Sequence, residues 1–207
     1  MRALGVLFLF VLLASPWQAA VAADDCADGK LRPATIADGD KLVLRWIGKV
    51  NKKMASSIDD AFEKNKRRVK SVELSLQSCG GRIDYMAATI AVLHNIKQTH
   101  KLTTVVDQGA TCASACIPIF LASDHRRAAM ASVWFFHRSW RKELSGGVDE
   151  VLTGVPGKRS VERFHDRYYA PAGVSRAWLD RLRNIIENTS GYWQTGRDLW
   201  ESKSGII

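Results

Sequence analysis

The sequence predicts an α/β protein built on a mostly parallel sheet. Stretches with the two-residue alternation of a strand follow one another, and helix-length stretches separate them. Such spacing implies strand–helix–strand crossovers, which place successive strands parallel. The chain has 207 residues, 46% apolar and 25% charged, enough to bury one core. That composition excludes a disordered, collagenous or disulfide-packed chain.

The elements follow in order. Lys41 to Trp46 alternates polar and apolar residues as a strand does, and Gly48 ends it. Met54 to Lys66 reads as a helix, with Met54, Ile58, Ala61 and Phe62 on one face. Val72 to Leu76 is a second strand, stopped by Ser78-Cys79-Gly80-Gly81. Asp84 to Gln98 is a second helix, with Met86, Ile90, Leu93 and Ile96 aligned. Leu102 to Val106 is a third strand, and Gly109 to Cys116 a turn of small residues. Ile117 to Ala122 reads as a buried helix, and Val133 to Phe136 as a fourth strand that delivers His137. Leu144 to Gly157 contains glycine and reads as a loop. Helices are expected over Lys158 to Tyr169, Ser175 to Asn188 and Thr195 to Ser202, with Ala170 to Gly173 between the first two. The tail tryptophans Trp178, Trp193 and Trp200 read as core. No repeat or low-complexity stretch divides the chain.

The N-terminus reads as an export signal. Arg2 precedes an apolar stretch from Leu4 to Ala14, Ser15-Pro16 breaks it, and Ala20-Val21-Ala22 offers a cleavage site. The run is too short to span a bilayer. The expectation is a signal peptide over residues 1–22, a single domain over 23–207, and a periplasmic or secreted location. All four cysteines, Cys26, Cys79, Cys112 and Cys116, then lie in the exported part, where disulfides persist. Cys112 and Cys116 are close enough to pair locally, which leaves Cys26 and Cys79 over; three connectivities are open. One C-x-x-x-C without a nearby histidine pair is a weak zinc pattern, so no metal is expected. A redox role for Cys112 and Cys116 lacks the thioredoxin-like spacing. The net charge is +9, densest at Lys52-Lys53 and at Lys64, Lys66, Arg67, Arg68 and Lys70. That cluster reads first as a solvated helix face. Among partners, an anionic envelope surface fits an exported chain, and nucleic acid is not expected.

Parallel α/β sheets place their sites at the carboxyl ends of strands. Gly80-Gly81 follows the second expected strand, Ser114 the third and His137 the fourth. A serine hydroxyl is a weak nucleophile until a base takes its proton, and histidine is the usual base. Ser114 at a helix start would sit beside the Ala115 N–H, where free amides and the helix dipole favour a developing oxyanion. Gly80-Gly81 lets backbone approach a substrate closely and offers a second amide. Each residue alone has a plainer use: a serine among alanines packs or caps, and His94, His100, His125 and His165 read as structural. Only the joint placement points to acyl transfer.

Three segments carry a family resemblance. Leu76-Gln77-Ser78-Cys79-Gly80-Gly81, Thr111-Cys112-Ala113-Ser114-Ala115-Cys116 and Phe135-Phe136-His137 resemble the Clp protease proteolytic subunit and its exported bacterial relatives. The likeness is clear over residues 40–140 and fainter beyond. It implies the Clp/crotonase-like fold of stacked ββα units, with C-terminal helices. It implies Ser114 as nucleophile, His137 as general base, Gly81 and Ala115 as oxyanion-hole donors, and Gly80 in the substrate groove. The tail from Trp193 to Glu201 is similar to the family's final segment, and counting back places Glu187 at the acid position; Asp198 and Asp180 are alternatives. Cys79 stands where the family usually has proline, and the segment after His137 departs from the family's ring-forming elements.

The expectation is an exported serine hydrolase, a peptidase with a peptide or protein substrate and no cofactor, in which copies of the chain can assemble. The alternative is an inactive periplasmic peptide-binding or scaffold protein of the same fold.

Overall fold

The computed structural model describes residues 27–137 and 162–207, and the backbone alone of 140–142 and 149–151. The expected signal peptide and Cys26 lie outside the described residues. A six-stranded sheet forms the frame. Its strands are β1 (Lys30–Leu31), β2 (Thr35–Ala37), β3 (Lys41–Ile47), β4 (Ser71–Gln77), β5 (Lys101–Val106) and, numbered past a short β6 described below, β7 (His125–Ala128). The order is β1-β3-β4-β5-β7, with β2 also on β3. β3, β4, β5 and β7 run parallel, as the crossover spacing requires.

Register explains why the alternation was readable. Leu42, Leu44 and Trp46 lie level with Val72, Leu74 and Leu76, and all six are buried. Helices α1 (Met54–Asn65) and α2 (Ile83–Lys97) bury Met54, Ile58 and Phe62, and Met86, Ile90, Leu93 and Ile96. The sheet's other face carries polar side chains: Arg127 pairs with Glu73 at 2.6 Å, and Ser75 Oγ donates to Asp107 at 2.8 Å. The basic cluster is exposed around the end of α1, with Lys66 paired to Glu63 at 2.6 Å.

A second sheet stands beside the first. It joins β6 (Thr111–Ala113), β8 (Val133–Phe136) and β11 (Tyr192–Thr195) in the order β11-β8-β6. β6 was expected as turn; three small residues carry no alternation, and pairing on both sides makes them a strand. Ser78 N donates to Thr111 O at 2.7 Å and Ala113 N to Ser78 O at 2.9 Å, so β6 continues the line of β4 into the second sheet. Helix α3 (Cys116–Leu121) is buried throughout. Its Pro118 falls in the first turn, where the missing N–H costs no helical bond. Trp134 is fully buried, edge-on to Phe120 at 5.0 Å, and donates from Nε1 to Ser132 Oγ at 2.9 Å.

After β8 the expected loop is partly strand: β9 (Trp140–Lys142) pairs antiparallel with β10 (Asp149–Val151), and the rest of that stretch lies outside the described residues. Helix α4 covers 162–168, then a 3-10 turn over Ala170–Ala172 ends at Gly173, whose φ of 78° is left-handed. Helix α5 (Arg176–Glu187) starts at Ser175, whose Oγ accepts from Trp178 N, and buries Trp178, Leu179, Leu182 and Ile186. Helix α6 (Gly196–Glu201) closes with a capping box between Thr195 and Asp198. Of the tail tryptophans only Trp178 is core; Trp193 is 52% exposed and Trp200 61%. Among the described residues no helix is long and apolar enough to cross a membrane.

Trp134 anchors the strand that ends at His137. Trp134→Ala is expected to cost about 3–5 kcal/mol of unfolding free energy. A urea titration checks this, and a loss under about 1 kcal/mol would remove Trp134 as the anchor.

Candidate active site

Strand pairing brings the motif residues to one edge. β6 and β8 are parallel with Ala113 level with Phe135, so Ser114 leaves β6 beside the end of β8. Ser114 N donates to Phe135 O at 2.9 Å. His137 is one residue further along β8. Gly81 is brought close by a parallel bridge to Val50.

Ser114 sits in a tight turn between β6 and α3. Its φ is +52°, left-handed for a residue with a Cβ, which costs about 1 kcal/mol or more. Three features hold it there. Cys112 and Cys116 are joined by a disulfide on either side of the turn. Ser114 O accepts from Ile117 N at 3.0 Å. Gly80, itself at φ +92°, packs so closely that a Cβ on it would stand 2.7 Å from Ser114 Cβ. Gly80 thus packs against the Ser114 turn. Ser114 is half-buried while its neighbours Ala113 and Ala115 are buried.

A cavity of about 290 Å³ opens at this edge. Ser114, Ala115, Gly81, Cys79 and His137 line it. The Gly81–Val50 bridge is closed by Val50 N donating to Gly80 O at 2.8 Å, so it does not consume the Gly81 N–H. Ala115 is the N-cap of α3, where amides have no acceptor within the helix. Gly81 and Ala115, expected as oxyanion donors, thus line the same cavity as the serine. His137 is half-buried and stacks on Phe135 at 5.5 Å, which stacks in turn on Trp193 at 4.3 Å. Ser114 and His137 share the cavity.

The carboxylates weighed as the acid stand outside the described cavity lining. Glu187 is exposed at the end of α5, directly after Ile186, which does line the cavity. Asp180 meets Arg176 at 3.6 Å and Arg183 at 3.5 Å. Asp198 accepts from the Thr195 backbone and hydroxyl, which holds its carboxyl below the usual range. Among the described residues no carboxylate lines the cavity, and no cluster of metal-ligating side chains occurs.

One residue of the site escaped sequence reasoning. His165, on α4, lines the same cavity and is only 7% exposed. Its Nδ1 is buried without a hydrogen-bond partner. Burial, with the nearby positive charges of Arg183 and Arg176, pushes its pKa down to about 4, so the ring is neutral at pH 7. Phe164 and Tyr169 line the cavity beside it. A histidine at the cavity wall gives no sequence signal of its own; the only clue was its one-turn spacing to Tyr169.

No protein-family model matches the chain, and no curated protein matches it in sequence. Solved structures match it in fold. A serine-to-alanine variant of the 1510-N membrane-bound stomatin-specific protease is 18% identical, with a TM-score of 0.59 over 83% of this chain and 79% of that one. The lysine-to-alanine variant of that protease in complex with a substrate peptide is 18% identical, with a TM-score of 0.56 over 83% of this chain and 75% of that one. An enoyl-CoA hydratase from Bacillus halodurans reaches a TM-score of 0.43 at 12% identity, over 52% of this chain and 53% of that one. The chain has the Clp/crotonase-like fold.

The buried imidazole links stability to pH. The unfolded chain takes up the His165 proton near pH 6.5, the folded one only near pH 4. Between those values the unfolded state binds more protons, so stability falls as pH drops through the window, by about 3 kcal/mol at most, and levels off below it. Urea titrations at pH 7, 5 and 4 are expected to show a steeper loss in the natural protein than in His165→Gln. Equal slopes would show that the ring is not held neutral.

Proposed function

We propose that this chain is an exported serine-type peptidase. The observation that carries the reading is the convergence of Ser114 and His137, from the ends of adjacent parallel strands, on one cavity. Ser114 Oγ attacks the carbonyl carbon of a peptide bond and His137 takes its proton. The negative charge on the carbonyl oxygen is met by the Gly81 and Ala115 amides. His137 then returns the proton to the leaving amine, and water releases the acyl group by the reverse path. No metal or cofactor enters these steps.

Several observations support the reading. The positive φ at Ser114 is the kind of backbone cost that folds keep at functional turns. The fold is shared with a protease, and one of the matched structures holds a substrate peptide. The disulfide beside Ser114 suits an oxidising compartment, as does the apolar stretch from Leu4 to Ala14. The finer resemblance, to exported Clp-protease-like proteins, belongs to this proposal, as do a periplasmic or secreted location, contact with an anionic envelope surface and assembly of copies. Glu187, one residue past the cavity wall, is proposed as the group that orients His137.

The natural protein is expected to label with a fluorophosphonate probe, and Ser114→Ala to lose the label while keeping its circular dichroism spectrum. Labelling that survives Ser114→Ala rejects the nucleophile. No labelling of either form, together with peptide binding, favours the inactive binding protein. Glu187→Gln is expected to lower kcat on an unfolded protein substrate about tenfold or more at unchanged KM. An unchanged kcat takes the orienting role away from Glu187.

A further inference from the structure

Among the described residues, the cavity lining away from Ser114 is mostly apolar, with aliphatic and aromatic side chains together. Ile117, Phe136, Leu182 and Ile186 form buried walls, Phe164 adds a ring, and Ile83, 46% exposed, stands in the lining nearest solvent. At about 290 Å³ it is at the small end of ligand pockets, the size for one side chain. Within this lining His165 is out of place. A buried polar nitrogen without a partner costs about 1–3 kcal/mol, and folds retain few of them. Among the described residues no hydrogen bond reaches either ring nitrogen. His165 lines the cavity that Ser114 also lines.

We propose that this cavity is a side-chain subsite for tyrosine, and that the neutral imidazole of His165 reads the phenol hydroxyl. The inference rests on the peptidase reading for its place beside the scissile bond. A neutral imidazole has one donor and one acceptor, and a hydroxyl is both, so the pair matches in either tautomer. The rings of Phe136, Phe164 and Tyr169 suit an aromatic side chain. Tyr169, one turn from His165, is buried, which keeps its own phenol protonated and uncharged. Among the described residues, a charged tip finds no opposite charge in this lining. The nearby cations Arg176 and Arg183 pair with Asp166 and Asp180 at 3.5 to 3.6 Å, while Arg183 Nε and Nη2 are buried without a hydrogen-bond partner.

The test compares peptidyl coumarylamides that differ only in the residue before the scissile bond: tyrosine, O-methyltyrosine, phenylalanine or glutamate. The natural protein is expected to favour tyrosine over phenylalanine about tenfold in kcat/KM, with glutamate poorest. In His165→Phe the tyrosine-to-phenylalanine ratio falls to about one; His165→Gln, which keeps a donor and an acceptor, retains part of it. Should His165→Phe not fold, the ratios in the natural protein and His165→Gln still decide. Binding of N-acetyltyrosinamide and N-acetylphenylalaninamide to Ser114→Ala, followed by the histidine ¹⁵N signals, separates this inference from the peptidase reading. Selective tyrosine binding without any hydrolysis keeps the subsite and removes the peptidase. Hydrolysis with equal rates for tyrosine and phenylalanine, or a preference untouched in both His165 variants, overturns the subsite and keeps the peptidase. Neither binding nor hydrolysis overturns both.

Discussion

Three residues, Thr111–Ala113, hold the site together. Their backbone pairs with Ser78 on one side and with Val133–Phe135 on the other. Without that double pairing, the glycine turn after the first sheet and the histidine after the second would have no fixed relation. With it, Gly80, Ser114 and His137 follow from one register. The strand is short, but the bonds on both sides are those of any β-ladder, and the residues are buried. Small side chains at Cys112 and Ala113 let the flanking segments close in.

The same economy governs the serine turn. A left-handed φ at Ser114 opposes the local preference of the chain, so the surroundings must impose it. Gly80 packed against it, the Cys112–Cys116 bond across it and the hydrogen bond that Ser114 N donates to Phe135 O do so together. Shaping the turn is therefore a cost met on folding, not when a ligand arrives.

Much of the frame was legible in the sequence, for a physical reason. Lys41–Ile47 and Ser71–Gln77 bury one face only, so burial writes itself into the sequence with period two. β7 was missed because His-Arg-Arg-Ala is a polar edge strand without an apolar face, and β11 because Tyr-Trp-Gln-Thr is held by its antiparallel pairing to β8, not by a buried row. At the site, Ser114 and His137 were legible because strand ends are marked by their neighbours. Glu187 was placed by counting along a likeness, and it directly follows Ile186, which lines the cavity. His165 was unreadable because what matters is not its neighbours in sequence but the cavity that α4 turns it toward.

The aromatic ladder beside His137 carries a consequence of its own. The ring lies nearly parallel to Phe135, and Trp193 backs Phe135 from the other side. An imidazolium formed there would lie against the electron-rich face of Phe135, close enough for cation–π attraction. Uncharged hydrocarbon would then supply some of the stabilisation of a protonated His137.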